Sequence, residues 1–187
     1  WAQISKIYRK SRSLLDNLPG ILGNLAPHET SIIRHAMIET ELGEGAVLFK
    51  QRDDPSGMFI LKTGQLQVVT GKFAIASERN VIAEIQPDQT VGEYSVIDGL
   101  PRSATVIATQ DSTLLSLTAG AFKEIITTNE SVARGVISNL CDLINNQPGL
   151  EIKSEKAQLI YTKNLKPSLQ NMKSLCAIIR EMNKQSN

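Results

Sequence analysis

Between residues 46 and 117 the chain is cut into short β-rich pieces, and this limits what it can fold into more than any other feature. Extended segments are expected at residues 46–49, 58–62, 65–70, 73–76, 81–85, 91–92, 103–108 and 113–117. Turn chemistry separates them: Asp53-Asp54-Pro55-Ser56-Gly57, Thr63-Gly64, Gly71-Lys72, Glu78-Arg79-Asn80, Pro87-Asp88 and Asp98-Gly99. Gly, Pro and Asp favour the backbone angles that turns need, each for its own steric or hydrogen-bonding reason. Within the pieces polar and apolar residues alternate, Leu66 and Val68 against Gln65 and Gln67, as half-buried strands require. Many short strands joined by Gly-rich turns close into a barrel or stack as two sheets. The fold class expected is α+β, an eight-stranded β-barrel or jelly roll flanked by N-terminal and C-terminal helices.

The flanks carry a helical period instead. Residues 2–16 place Ile4, Ile7, Leu14 and Leu15 among basic side chains, and Pro19-Gly20 ends that helix. A second helix opens at Ala26-Pro27-His28-Glu29, with Pro near its first position and an acid in its first turn. Its apolar face is Ile32, Ile33, Ala36 and Met37, and it is expected to run until just before Gly43. After the last strand, Phe122, Ile125 and Ile126 predict a short helix. Asn129-Glu130-Ser131 then caps another, with a stripe of Val132, Val136, Leu140, Leu143 and Ile144. Asn145-Asn146-Gln147-Pro148-Gly149 breaks it, and residues 151–164 and 168–183 read as helices split by Pro167.

With 187 residues, one domain plus accessory helices is expected. Apolar residues make up 41% and aromatics only 4%, so the core must be aliphatic. No apolar run reaches the roughly 18 residues of a membrane span, and the N-terminus lacks a signal peptide's apolar stretch. The start at Trp1 rather than Met leads to the expectation of a piece of a longer protein. Cys141 and Cys176 lie far apart with no metal or redox spacing, which fits a reduced, cytoplasmic domain. The net charge of +1 hides +3 in residues 1–20, −6 in 21–150 and +4 in 151–187. The basic residues are scattered rather than clustered, as on a solvated helix face rather than a nucleic-acid footprint.

Chemistry narrows by elimination to one stretch. The two histidines, His28 and His35, both precede the first expected strand, so no clustered metal ligands and no metal site are expected. There is no Gly-x-Ser-x-Gly, no Cys-His arrangement and no Walker-type loop. Neither an enzyme, a catalytic residue nor a cofactor is expected. What remains is residues 91–108, V-G-E-Y-S-V-I-D-G-L-P-R-S-A-T-V-I-A, with Glu93 and Arg102 nine positions apart. A guanidinium can hold a phosphate by two parallel N–H bonds, and small neighbours let backbone amides approach the same anion. A carboxylate is an acceptor and suits a sugar hydroxyl. The alternative is that Glu93 and Arg102 simply pair. The glycine before Glu93, the Asp-Gly turn and the Pro-Arg-Ser-Ala run favour an anion site.

These residues resemble the phosphate-binding cassette of cyclic nucleotide-binding domains, whose usual form is Phe-Gly-Glu, a small residue, a turn, then Pro-Arg-(Ala/Ser/Thr)-Ala-Thr. The likeness includes Leu18-Pro19, Leu42-Gly43-Glu44-Gly45, Gln51-Arg52-Asp53, the strand Met58-Phe59-Ile60-Leu61 leading to Gly64, and Phe122. It covers roughly residues 14–145. The resemblance implies that Glu93 accepts from the ribose 2′-hydroxyl, and that Arg102 grips the cyclic phosphate with the Ser103 hydroxyl and the amides of Ser103 and Ala104. It gives Gly92 a backbone contact to the ribose, places Ser95 near the phosphate, and lines the pocket with Val68, Ile82, Val91 and Val106. Each of those four also reads as plain core. Three positions depart from the family: Tyr94 replaces an aliphatic residue, Val91 a Phe, and Arg52 a Gly, the last in a tight turn.

The resemblance further implies a sensor of cyclic AMP, preferred over cyclic GMP because Ser103 suits adenine where a Thr would point to guanine. It implies a layout of an N-terminal helical bundle (1–45), a β-roll (46–118) containing the cassette, hinge helices (119–147) and C-terminal lid or linker helices (148–187). Hinge closure over the base is a population shift passed to a protein effector or attached domain. Asn145, Asn146 or Gln147 could bond the adenine edge, or Leu159 or Tyr161 could supply a lid. The C-terminal residues lack a compact helix–turn–helix, so no DNA partner is expected. The competing expectation is a structural or interaction module of the same fold that has lost the nucleotide.

Overall fold

Alternation along the chain becomes two antiparallel sheets. The computed structural model describes residues 17–71, 79–146 and 167–185. The chain divides into two compact units, one of His35–Phe122 and one drawn from the segments Trp1–Arg34 and Lys123–Asn187.

The first unit carries eight described strands: β1 (Ile38–Leu42), β2 (Val47–Phe49), β3 (Gly57–Thr63), β4 (Leu66–Gly71), β5 (Arg79–Ile85), β6 (Thr90–Val91), β7 (Thr105–Ala108) and β8 (Ser112–Thr118). They form two four-stranded sheets, ordered β1-β8-β3-β6 and β2-β7-β4-β5. Of the two architectures expected, the double sheet is the one observed. The core draws on both sheets: Leu61, Val91 and Leu114 from one, Leu66, Val106 and Ala108 from the other, with Phe49, Phe59 and Val68 packed against them. Burying aliphatic side chains on facing strands is worth about 25 cal/mol per Å² of apolar surface, which is why the inward residues dictate the register.

Three expectations need correcting. Residues 38–42 are a strand, not the end of a helix: helix α1 (Pro27–His35) stops early and β1 pairs with β8, Thr40 opposite Leu114. The sequence Ile-Glu-Thr-Glu-Leu alternates and has β-branched residues, so it suits a ladder, and that pairing outweighs its weak helical period. The exposed Lys62–Glu39 ion pair spans from β3 across β8 to β1. Residues 91–92 are not a strand throughout, because Gly92 already turns out of β6. Residues 93–98, expected only as a turn, form the short helix α2 (Glu93–Asp98), with Gly92 and Gly99 both left-handed at its ends. The expected strand at 73–76 lies outside the described residues, as do the helices expected at 2–16 and 151–164.

Helix α3 (Ala119–Thr128) crosses the sequence boundary between the units, so its residues belong partly to each. In the second unit, a 3-10 turn (Gly20–Leu22), α1, α4 (Glu130–Asn145) and α5 (Leu169–Gln185) are described. Glu29 closes the start of α1 by accepting from the amide of Ala26 at 2.8 Å. Asn129 is the expected cap of α4, but its side chain bonds backward, to the carbonyl of Ile125 at 3.2 Å and to Thr128 Oγ1 at 2.9 Å. It therefore closes α3 rather than opening α4. The apolar stripe of α4 is buried at Val132, Val136, Leu140 and Ile144, whereas Leu143 faces solvent. Helix α5 packs against α4 and buries Met172, Leu175, Cys176, Ile179 and Met182, a three-and-four spacing. Asn139 of α4 ties in the 3-10 turn by donating to the carbonyls of Ile21 (2.9 Å) and Gly23 (2.6 Å).

Candidate functional site

The functional segment begins where β6 gives way to α2. Gly92 joins them at φ +85°, a left-handed conformation that side chains with a Cβ avoid. Space is the second reason for glycine: a Cβ there would lie 2.5 Å from Nη1 of Arg102. Gly92 and Arg102 are in direct contact, and the Gly92 carbonyl accepts from Arg102 Nη1 at 2.8 Å. Nη2 donates to the carbonyl of Gly57 at the start of β3. The guanidinium carbon stands 4.1 Å from the centroid of the Phe49 ring, within cation–π range. Phe49 in turn stacks on Phe59 of the other sheet, with centroids 6.1 Å apart.

Arg102 is only 2% exposed, unusual for an arginine. Its Nε is buried and has no hydrogen-bond partner among the described residues. Burial holds its pKa below the ordinary arginine value, while the carboxylates of Asp53 and then Glu93 oppose that shift. No ion pair joins Glu93 to Arg102 among the described residues, so the simple salt bridge weighed from the sequence does not form. Glu93 is half-buried at the first position of α2. Burial pushes its pKa up, against the lowering effects of its own amide, of a hydrogen bond with Thr90 and of the Arg102 charge. An acceptor and a cation thus sit near each other without neutralising each other directly. That arrangement can hold a ligand bearing both a hydroxyl and an anion.

The other candidate residues fall into three groups. Gly92, Glu93 and Arg102 come together as described. Ser95 and Ala104 are buried, and Ser103 is exposed beside Arg102. Val91 and Val106 are core residues, and Val68 packs against them between the sheets. Ile82 is not brought to them: it lies at the irregularity in the β4–β5 register, where Val68 faces Ala83 and Val69 faces Val81, and it is 48% exposed. Of the lid candidates, Asn145 is the last residue of α4 and Asn146 is its exposed C-cap, whereas Gln147, Leu159 and Tyr161 lie outside the described residues.

Sequence reasoning gave no role to the residues behind Arg102. Phe49 and the Gly57 carbonyl touch the Arg102 side chain, and residues 51–53 bond to residues 102–105. The signal in the sequence is Gln51-Arg52-Asp53, which carries part of the family likeness but no mark of contact with Arg102. Gln51 donates its amide to Thr105 Oγ1 at 2.9 Å and its Nε2 to the Ser103 carbonyl at 3.0 Å. Arg52, at φ +75°, takes the left-handed conformation that the family's usual glycine would adopt freely.

Comparison with known proteins bears on the fold and the family. Residues 39–129 match the family model of the cyclic nucleotide-binding domain. A cAMP-dependent protein kinase regulatory subunit of Hypocrea atroviridis is 26% identical over 126 residues, which are 67% of this chain and 26% of that protein. An uncharacterized ABC transporter ATP-binding protein of Mycobacterium bovis is 35% identical over 80 residues, 43% of this chain and 24% of that protein. The chain thus spans a minor part of the curated relatives it matches. In structure, a cyclic nucleotide-binding domain from Methylobacillus flagellatus superimposes with a TM-score of 0.60 at 19% identity, covering 75% of this chain and 77% of the other, a likeness of fold. No described helix is long and apolar enough to cross a membrane. By family match and by fold, residues 39–129 of this chain belong to the cyclic nucleotide-binding domain family.

Proposed function

We propose that residues 39–129 sense a cyclic nucleoside monophosphate, with Arg102 and the amides of Ser103 and Ala104 taking the phosphate. Glu93 takes the ribose hydroxyl, with Gly92 and Ser95 beside them. The observation that carries this is the buried guanidinium of Arg102, braced from behind by Gly92, Gly57 and Phe49 with its Nε unpartnered. A preorganised, desolvated cation costs little to align when an anion arrives. Cyclic AMP is the favoured ligand, since by the family resemblance Ser103 is compatible with adenine where a Thr would point to guanine. The helices after β8 carry the response to a protein effector or an attached domain, and the module itself catalyses nothing. It works in the cytoplasm, where a reduced domain with two thiols is at home.

A second reading has one observation in its favour. Nη1 and Nη2 are already bonded to carbonyls, so Arg102 could serve as a structural pin in a domain that has lost its nucleotide. Calorimetric titration with cyclic AMP and cyclic GMP decides. The sensor reading expects saturable binding, tighter for cyclic AMP, and its loss in Arg102→Ala. No binding by the parent chain would leave the pin alone standing.

A further inference from the structure

The guanidinium of Arg102 has little left to offer an anion. Nη1 donates to the Gly92 carbonyl and Nη2 to the Gly57 carbonyl, which leaves Nε as the nitrogen without a partner among the described residues. A phosphodiester spreads its charge over two non-bridging oxygens, and one N–H meets only part of that acceptor capacity. The surrounding unit does not help at long range. His35–Phe122 holds six Lys and Arg against eleven Asp and Glu, a net charge of −5, and so repels an anion unless a cation stands at the mouth of the site. Lys62 is one of the six and is paired with Glu39.

Arg52 stands next to the place where that charge is wanted. Its amide donates to the Arg102 carbonyl at 2.9 Å, and the Arg102 amide donates to the Asp53 carbonyl at 2.9 Å, so the two arginines lie on backbones in direct contact. Ser103, next in the chain, is exposed, and so is Arg52. The Arg52 side chain makes no hydrogen bond or ion pair among the described residues, so its five N–H donors are open to a ligand. Its backbone sits at φ +75°, where a glycine would rest without strain. The arginine therefore costs the fold stability and makes no side-chain bond within it. An outlier of this kind beside a binding site points to a role in that site. We infer that Arg52 is a second anion-recognising residue, which meets the ligand's phosphate from the solvent side while Arg102 meets it from within. This rests on the proposed reading of Arg102 as the anion's partner. Arg52 brings to the phosphate the fork of parallel N–H groups that Arg102 has already committed to carbonyls. The chemistry it selects is an ionised phosphate with a non-bridging oxygen open to solvent.

Arg52→Gly removes the cation and relieves the strain together, so damage to the fold cannot be mistaken for a lost contact. Calorimetric titration with cyclic AMP over a series of salt concentrations is set beside denaturant unfolding, for the parent, Arg52→Gly and Lys50→Ala chains. Arg52→Gly should bind cyclic AMP roughly tenfold more weakly, the scale of one hydrogen bond to a charged group. Its affinity should also depend less on salt, and its denaturation midpoint should rise. Weaker binding by a more stable chain is a result that a supporting role in the turn would not give. Lys50 is the control, an exposed cation two residues earlier, and its loss should cost clearly less affinity. An equal loss in Lys50→Ala shows that net charge alone is at work and overturns the inference. A fall in affinity and midpoint together in Arg52→Gly overturns it too. If the parent chain binds no cyclic nucleotide, the proposed function falls and Arg52 loses its role with it. If the parent binds and Arg52→Gly binds equally well, only this inference falls.

Discussion

In the proposed sensor Arg102 would have two tasks that compete for the same five N–H groups. Two of its nitrogens hold the fold together through Gly92 and Gly57, while the buried Nε has no partner among the described residues. Replacing it with Ala should therefore remove both ligand binding and a buried tie. A loss of roughly 2–5 kcal/mol in affinity is expected, as for truncation of a buried charge pair, read by calorimetry. Gly92→Ala separates the tasks differently. It strains the left-handed φ and drives a Cβ against Nη1, so unfolding should become easier by about 1–3 kcal/mol in denaturant titration. Glu93 supplies the pH dependence. Burial raises its pKa, so the folded state binds its proton more tightly than the unfolded chain does. Its contribution to stability is fully present below the unfolded carboxylate pKa and is lost as pH rises through the raised folded value. Binding runs the opposite way, because a ribose hydroxyl needs the ionised acceptor. Cyclic AMP affinity should fall on acidification through the Glu93 titration, and Glu93→Gln should flatten both profiles. An acid limb of binding that persists unchanged in Glu93→Gln would remove Glu93 from the site.

At the scale of elements, what could be read in advance depended on how local the deciding force was. The strands β2 to β5 and β8 announce themselves because alternation and turn residues act within a few positions, as at Leu66 and Val68 or Thr63-Gly64. Strand β1 does not, since Ile38 to Leu42 becomes a strand only by pairing with β8, more than seventy residues away. The short helix Glu93–Asp98 is hidden for a related reason, as two left-handed glycines bracket a helix too brief for any period to show. In the candidate site, Glu93 and Arg102 stand out by residue type, whereas Phe49, Gly57 and Asp53 gain meaning only from sheet topology. Asn139 is the helical counterpart. Nothing in the stripe of α4 marks it, yet its side chain donates to the carbonyls of Ile21 and Gly23. Asn139→Ala should lower stability by about 1–3 kcal/mol, the cost of leaving part-buried carbonyls unpaired, in chemical denaturation followed by helical circular dichroism. The strand signal should be spared if the two units unfold separately. No change in the helical transition would make those bonds ornamental.

For the whole molecule the open matter is whether ligand bound in the β-sheet unit is felt in the helical one, as a sensor requires. The two buried thiols make this measurable. Cys141 on α4 and Cys176 on α5 are both unexposed, and burial, helped by the neighbouring Asp142 charge, pushes the Cys141 pKa up to about 11. Thiolate is the reactive form, so neither position should react with a disulfide reagent near neutral pH until the helical unit opens. The labelling rate therefore reports that opening. A ligand stabilises only what differs between bound and open states, and saturating to a hundred times Kd is worth about 2.7 kcal/mol. If helical opening also releases the ligand, cyclic AMP at that level should slow labelling by roughly a hundredfold. Weaker coupling gives a smaller factor, and the factor itself measures the free energy passed between units. The Arg102→Ala chain supplies the control, since it should label at one rate with or without nucleotide. Labelling that ignores cyclic AMP in a parent chain shown to bind it would mean that the nucleotide is held without being heard in these helices. The response would then have to leave through the sheets.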